Sequence, residues 1–235
     1  MTQGVNRGQC AGMSFNPEQD RFRTFGRAKG RTLSPAQAEL IETHWPRLEI
    51  KPGDALPPAP RWLEIGYGTG THLIHLAKTH PEVSILGAEP FLNGTAKAVK
   101  AVADGGLNNV HLFRGDVREL MAEMPDSCLS RVYILFPDPW PKARHNKRRL
   151  IRTAFIEELY RVVEPGGRLT FASDIPHYVD WALTRFRTHS HKVGGGFDWA
   201  GGDPKQPPEG WPGTKYEAKA RREGRTPYWF EFDRL

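Results

Sequence analysis

Two cysteines in 235 residues, Cys10 and Cys128, are too few and too far apart for a disulfide framework, and no Cys-x-x-Cys spacing offers thiolates to zinc. A reducing cytosol fits such a chain. Among the nine histidines, His72 and His75 stand three apart with no cysteine or third ligand close by, so no metal site is expected. No window reaches about 18 uninterrupted apolar residues, and the first thirty residues lack the apolar stretch of a secretory leader. Neither membrane insertion nor secretion is expected, and the expected location is cytoplasmic. Internal repeats and low-complexity tracts are missing too, which sets solenoid and fibrous architectures aside.

Acidic residues are absent from two cation-rich segments. Arg21, Arg23, Arg27, Lys29 and Arg31 follow one another without a carboxylate, and residues 1–33 hold few aliphatics, as expected of a mobile basic arm. From Lys142 to Arg152, six Lys and Arg side chains stand without an acid. With a formal net charge of +6, this placement points to an anionic partner, and a phosphate backbone is the one such a run would attract.

The length suits one α/β domain with appendages. Residues 34–60 read as a short helix and a linker: Ser34-Pro35 has the form of an N-cap with proline at the first helical position, Pro46 is expected to stop the helix, and Lys51–Pro60 holds four prolines. The main domain, 61–235, alternates strands at 62–65, 83–88, 110–113, 131–136 and 168–172 with helices near 70–80, 92–104, 117–123, 146–163 and 176–189. Such alternation predicts a mainly parallel sheet covered on both faces. Residues 194–213, rich in Gly, Pro and Trp, predict an irregular insertion or the loops of a hairpin, and 228–232 a last strand.

Two segments carry chemistry. Leu63-Glu64-Ile65-Gly66-Tyr67-Gly68-Thr69-Gly70 follows a strand and opens a helix, and Glu89 ends the next strand, where a carboxylate can accept both hydroxyls of a ribose. A dinucleotide fingerprint wants glycine at the place of Thr71, so the turn better suits a nucleoside without phosphates to cradle, S-adenosylmethionine. Asp116, after the third strand, is read as an acceptor for an adenine amino group, a helix N-cap, or both; Glu64 is a ligand acid or a turn acid. The second segment runs from Phe136 through Pro137-Asp138-Pro139-Trp140-Pro141 into the cationic run. Asp138 thus lies just past the fourth strand, at the edge where open α/β sheets bind ligands. Trp140 is either a stacking platform for a base or a plug for the turn. Leu150, Ala154, Phe155 and Leu159 are expected to face the core, leaving Arg144, Lys147, Arg148 and Arg149 for phosphate.

These residues resemble the bacterial tRNA (guanine-N7-)-methyltransferase family, within the Rossmann-like class I S-adenosylmethionine-dependent superfamily. The resemblance rests on Leu63–Gly70, on Pro137-Asp138-Pro139-Trp140-Pro141-Lys142-x-Arg144-His145-x-Lys147-Arg148-Arg149, on Ser173-Asp174 and on Thr214-Lys215-Tyr216-Glu217, and spans residues 25–235. It implies a seven-stranded α/β sheet and transfer of the S-adenosylmethionine methyl group to N7 of a guanine in the tRNA variable loop, at tRNA position 46, leaving S-adenosylhomocysteine. It further implies cofactor contacts at Glu64, Glu89, Asp116 and Asp138, with Gly66, Gly68 and Gly70 forming the turn, and Asp138 as the catalytic position. Substrate contacts would be Lys142, Asp174, Thr214, Lys215, Tyr216 and Glu217, with tRNA meeting Arg144, His145, Asn146, Lys147, Arg148 and Arg149. Pro90, after Glu89, departs from the aliphatic residue expected there. No obligatory protein partner is evident. The alternatives are another RNA, small-molecule or protein methyltransferase, an NAD-dependent dehydrogenase, or a non-catalytic RNA-binding module. Neither of the last two explains the glycine turn, Asp138 and the cationic run together.

Overall fold

A strand that reads as a continuous apolar run has to be covered on both faces. β1 (Arg61–Ile65), β2 (Ser84–Ala88), β3 (Val110–Phe113), β4 (Leu129–Leu135) and β5 (Val163–Ser173) are such strands, and in the computed structural model, which describes residues 30–235, they pair in parallel. The expected basic arm lies almost wholly outside the described residues; only its end is seen, where the carbonyl of Arg31 accepts from Asn93 Nδ2 at 2.7 Å.

Seven strands form the sheet among the described residues, in the order β3-β2-β1-β4-β5-β7-β6. β7 (Tyr228–Arg234) runs antiparallel to β5 and to the short edge strand β6 (Phe197–Trp199); apart from β6, residues 194–213 are the irregular insertion expected, and residues 200–227 separate β6 from β7. One face is covered by α1 (Pro35–Leu48), α2 (Thr71–Thr79) and α3 (Leu92–Gly105), through Leu48, Leu73, Leu76, Val99 and Val102. The other is covered by α4 (Val117–Ala122), α5 (Thr153–Val162) and α6 (Pro176–Val193), through Leu120, Phe155, Leu159, Tyr178 and Phe186. Connections run outward from β1 to β3 and then return to β4 on the other side of β1. The carboxyl ends of β1 and β4 therefore flank a crevice at the switch point.

Two expected boundaries move. α1 runs through Pro46 to Leu48, because the carbonyl of Glu42, which loses its helical donor there, lies on an exposed stretch where water can satisfy it. The helix read over 146–163 is split into a 3-10 turn (Ala143–Arg148) and α5, with an extended link between them. In that link, tertiary bonds replace helical ones: the N–H of Ile151 meets the Tyr178 hydroxyl at 3.4 Å, and its carbonyl accepts from Trp181 Nε1 at 2.7 Å. The split turns Ala154 outward, while Ile151 and Ile156 take up the core positions.

Candidate active site

The crevice opens into a cavity of about 360 Å3, whose lining includes Gly66, Gly68, Glu89, Asp116, Asp138 and Tyr216. Its floor is the glycine turn. Gly66 has a φ of 76° and open space where a side chain would stand, so a ligand can approach its backbone. Gly70 serves a different purpose. A methyl group there would lie 2.9 Å from the Ala98 Cβ, so this glycine lets α2 pack on α3, and it does not line the cavity.

Glu89 ties the turn to the end of β2: its carboxylate accepts from Gly68 N–H at 2.8 Å and from Phe91 N–H at 2.9 Å. Pro90 has no N–H to offer, and Phe91 makes the reach instead. Burial raises the Glu89 pKa, against the pull of those two donors and of Lys215. Asp116 caps α4 by accepting from Arg118 N–H at 3.0 Å, as its N-cap reading expected, and it also lines the cavity. Its two oxygens also take a forked ion pair from Arg118, at 2.8 and 2.6 Å. Arg118 was not foreseen, although its i+2 spacing from Asp116 is compatible with this fork. Glu64 lies beside the cavity and not in it, buried and paired with His72.

Asp138 stands at the cavity rim, exposed, yet the surrounding groups desolvate it enough to raise its pKa. The turn that carries it is held from behind. Arg149 donates Nε to the Pro139 carbonyl at 2.9 Å, and its guanidinium lies 4.6 Å from the centre of the Trp181 ring and 5.3 Å from that of Tyr178. Arg149 is 4% exposed, so the expectation that it serves phosphate is corrected: it clasps the turn. Trp140 lines the cavity with Arg148 stacked 5.0 Å from its ring centre and His145 edge-on at 5.7 Å, combining the roles of wall and plug. Lys142, Arg144 and Lys147 are exposed along the run that follows, with Asn146 half-buried between them, and of the three Lys147 lines the cavity.

The carboxy-terminal motif folds back over the turn. α7 (Lys215–Arg222) is capped by Thr214, whose hydroxyl accepts from Glu217 N–H at 3.1 Å. A methyl group on Gly68 would meet the Tyr216 ring at 3.6 Å and Lys215 Nζ at 3.7 Å. Tyr216 remains 44% exposed, and burial followed by the charges of Glu89 and Asp138 raises its pKa. Burial lowers the Lys215 pKa. Asp174 is set apart from the cavity, accepting from Arg225 Nε at 2.6 Å.

One sequence family, described as putative methyltransferase, matches residues 58–229. The chain is 40% identical over 225 residues to the tRNA (guanine-N(7)-)-methyltransferase of Rhizobium johnstonii, covering 90% of this chain and 94% of that one. It is 42% identical over 222 residues to the enzyme of the same name from Hyphomonas neptunium, covering 90% and 99%. Solved structures similar in fold include the 16S rRNA methyltransferase KamB, at a TM-score of 0.53 and 15% identity over 87% of this chain and 96% of that one. TrmN from Thermus thermophilus superposes at 0.52 with 18% identity over 85% of this chain, which spans about half of that longer one, 48%. At such identities the likeness is one of fold, the class I methyltransferase sheet found above. The curated relatives go further, since they match nearly end to end, and with them the chain belongs to the tRNA (guanine-N7-)-methyltransferase family.

Proposed function

We propose that this protein transfers a methyl group from S-adenosylmethionine to N7 of a guanine in the tRNA variable loop. The observation that carries the reading is that one cavity is walled by the glycine turn and strand-end acids on one side and by Asp138, Trp140, Lys147 and Arg148 on the other. Cofactor chemistry and a polyanion surface therefore meet at a single mouth. The cavity falls in the size range of small-molecule sites, and its donor set fits the cofactor: bare backbone at Gly66, and carboxylates at Glu89 and Asp116 for hydroxyl and amino groups. When bound, S-adenosylmethionine supplies an electrophilic methyl group on a sulfonium.

Guanine N7 carries an in-plane lone pair and no proton, so this chain needs no general base for the transfer. Its task is positioning. Asp138 accepts from the guanine N1–H or amino group and turns N7 inward, and its charge favours the cationic product. Trp140 walls the base, while Lys142, Arg144 and Lys147 hold the RNA backbone at the rim. A small-molecule methyltransferase would share the cofactor half, but would have no use for that cationic turn.

The test is to incubate the protein with isotopically labelled S-adenosylmethionine and tRNA and to map the label by nuclease digestion and mass spectrometry. Label on a guanine N7 of the variable loop is expected. Label on another base, or on no RNA, overturns the reading.

A further inference from the structure

The cavity wall at Asp116 holds a second charged side chain, that of Arg118. Arg118 Nε donates to Asp116 Oδ1 at 2.8 Å and Nη2 to Oδ2 at 2.6 Å, so the two groups meet as a charge-assisted fork. The Arg118 N–H adds a third donor, to Oδ1 at 3.0 Å. The spacing that lets Asp116 cap α4 also brings the Arg118 stem beside the carboxylate, and arginine is the side chain whose planar donors match both oxygens at once. The Asp116 side chain is 7% exposed, so water competes little for its oxygens.

Counting acceptor positions shows what the fork does. An ionised carboxylate offers about four lone-pair positions, two on each oxygen. Two donors fill Oδ1, and among the described residues Nη2 is the one donor on Oδ2. One acceptor position is left, on a side chain that borders the cavity. With the helix cap alone, three positions would stay open and the carboxylate could turn to suit its ligand. The difference bears on purine chemistry. A 6-amino purine brings a proton to a fixed acceptor, whereas a 6-oxo purine sets lone pair against lone pair and carries its proton at N1 instead. A carboxylate able to turn can follow that proton; a pinned one cannot.

We propose that Arg118 is a specificity-determining positioning residue of the cofactor site: by pinning the Asp116 carboxylate it leaves one acceptor for the 6-position of the purine, so that an amino group is taken there and a carbonyl refused. This rests on the reading that the cavity takes S-adenosylmethionine with its adenine at Asp116. Arg118 acts through Asp116 and makes no hydrogen bond to the purine itself. Arg118→Gln removes the fork and the charge; Arg118→Lys keeps the charge and removes the fork. Asp116→Asn preserves the helix start, since asparagine caps as well as aspartate.

The experiment titrates S-adenosylhomocysteine and S-inosylhomocysteine, which differ in the amino or carbonyl group of the purine, by calorimetry. It compares wild type, the three single variants and the Arg118→Gln/Asp116→Asn double, each confirmed folded by its unfolding transition. Wild type is expected to prefer the adenosyl compound about 50-fold, the scale of one hydrogen bond to a charged group. In Arg118→Gln the preference falls to about fivefold, and Arg118→Lys resembles it, because a lysine cannot fork. Asp116→Asn loses the preference too, and the double matches it, since the arginine's effect passes through the carboxylate. In Arg118→Gln the KM for S-adenosylmethionine rises while kcat stays within about twofold of wild type, as when binding is lost alike in ground and transition states. A wild-type preference in Arg118→Gln overturns the proposal. So does its restoration by Arg118→Lys, which would make charge and not the fork the cause. A further change on passing from Asp116→Asn to the double would set Arg118 on the ligand itself and overturn it as well. A wild-type chain that binds both compounds equally overturns the proposal and leaves the cofactor reading standing; one that binds neither removes that reading, and the proposal with it.

Discussion

Asp138, in the proline turn, and Arg149, in the cationic run that follows it, sit eleven residues apart, and the fold gives them opposite places. Asp138 is presented at the rim; Arg149 is drawn beneath it. For Asp138→Asn, kcat is expected to fall about 100-fold, the scale of a misplaced reactant, with tRNA affinity unchanged. The pH dependence has a definite sign. The orienting form is the carboxylate, so turnover is lost as pH falls through the folded-state pKa, and because desolvation raises that pKa the acid limb lies above the ordinary aspartate range. A profile of kcat/KM against pH should show this limb in the wild type and lose it in Asp138→Asn. Arg149→Lys keeps the charge but not the fork that reaches Pro139 and the aromatic faces. It should cost ~1–3 kcal/mol of stability, as for a broken buried hydrogen bond, seen as a lower denaturant midpoint, while the salt dependence of tRNA binding stays as in wild type. A flattened salt dependence would return Arg149 to the phosphate surface.

At the scale of elements, the 3-10 turn and the α2–α3 pair make separable contributions. Lys142 and Arg144 are exposed where the turn begins, and neutralising both to Gln should reduce the slope of log K against log salt by about two, one per phosphate contact. S-adenosylhomocysteine affinity should not move, because neither side chain lines the cavity. Gly70→Ala tests the other element. Its φ of 82° and the 2.9 Å approach to Ala98 leave no relaxed position for a methyl group, so the helix pair should be strained by ~1–3 kcal/mol, measurable by thermal unfolding. The patterns behind these elements were readable in advance to different degrees. The glycine turn and the strand-end acids follow from local rules of strand, turn and helix start, so Gly66, Gly68, Glu89, Asp116 and Asp138 were found at the cavity. The helix read over 146–163 was not one helix, because Tyr178 and Trp181, on another element, capture the backbone of Ile151.

For the whole molecule, the cavity is assembled from β1, β2, β3 and β4 ends together with Tyr216 of α7, so a ligand that fills it bonds the amino- and carboxy-terminal parts of the domain at once. At about 100 times its Kd, S-adenosylhomocysteine should therefore raise the unfolding free energy by ~2.7 kcal/mol, and at the same concentration Tyr216→Ala, at a position 44% exposed, should show less of that gain with little loss of its own stability. By itself the sequence determined the alternating α/β order, the parallel sheet, the acid at each strand end and the cationic turn, since periodicity, proline and glycine act within a few residues of one another. Only the tertiary structure decided which charges remain outward. Arg149 and Glu217 look like surface groups in sequence, yet one is buried under a turn and the other under an indole. Asp174 and Arg225, 51 residues apart, form an ion pair because β5 and β7 lie side by side. Packing makes such pairs: a side chain's neighbours across a sheet are set by topology, and no local pattern encodes them.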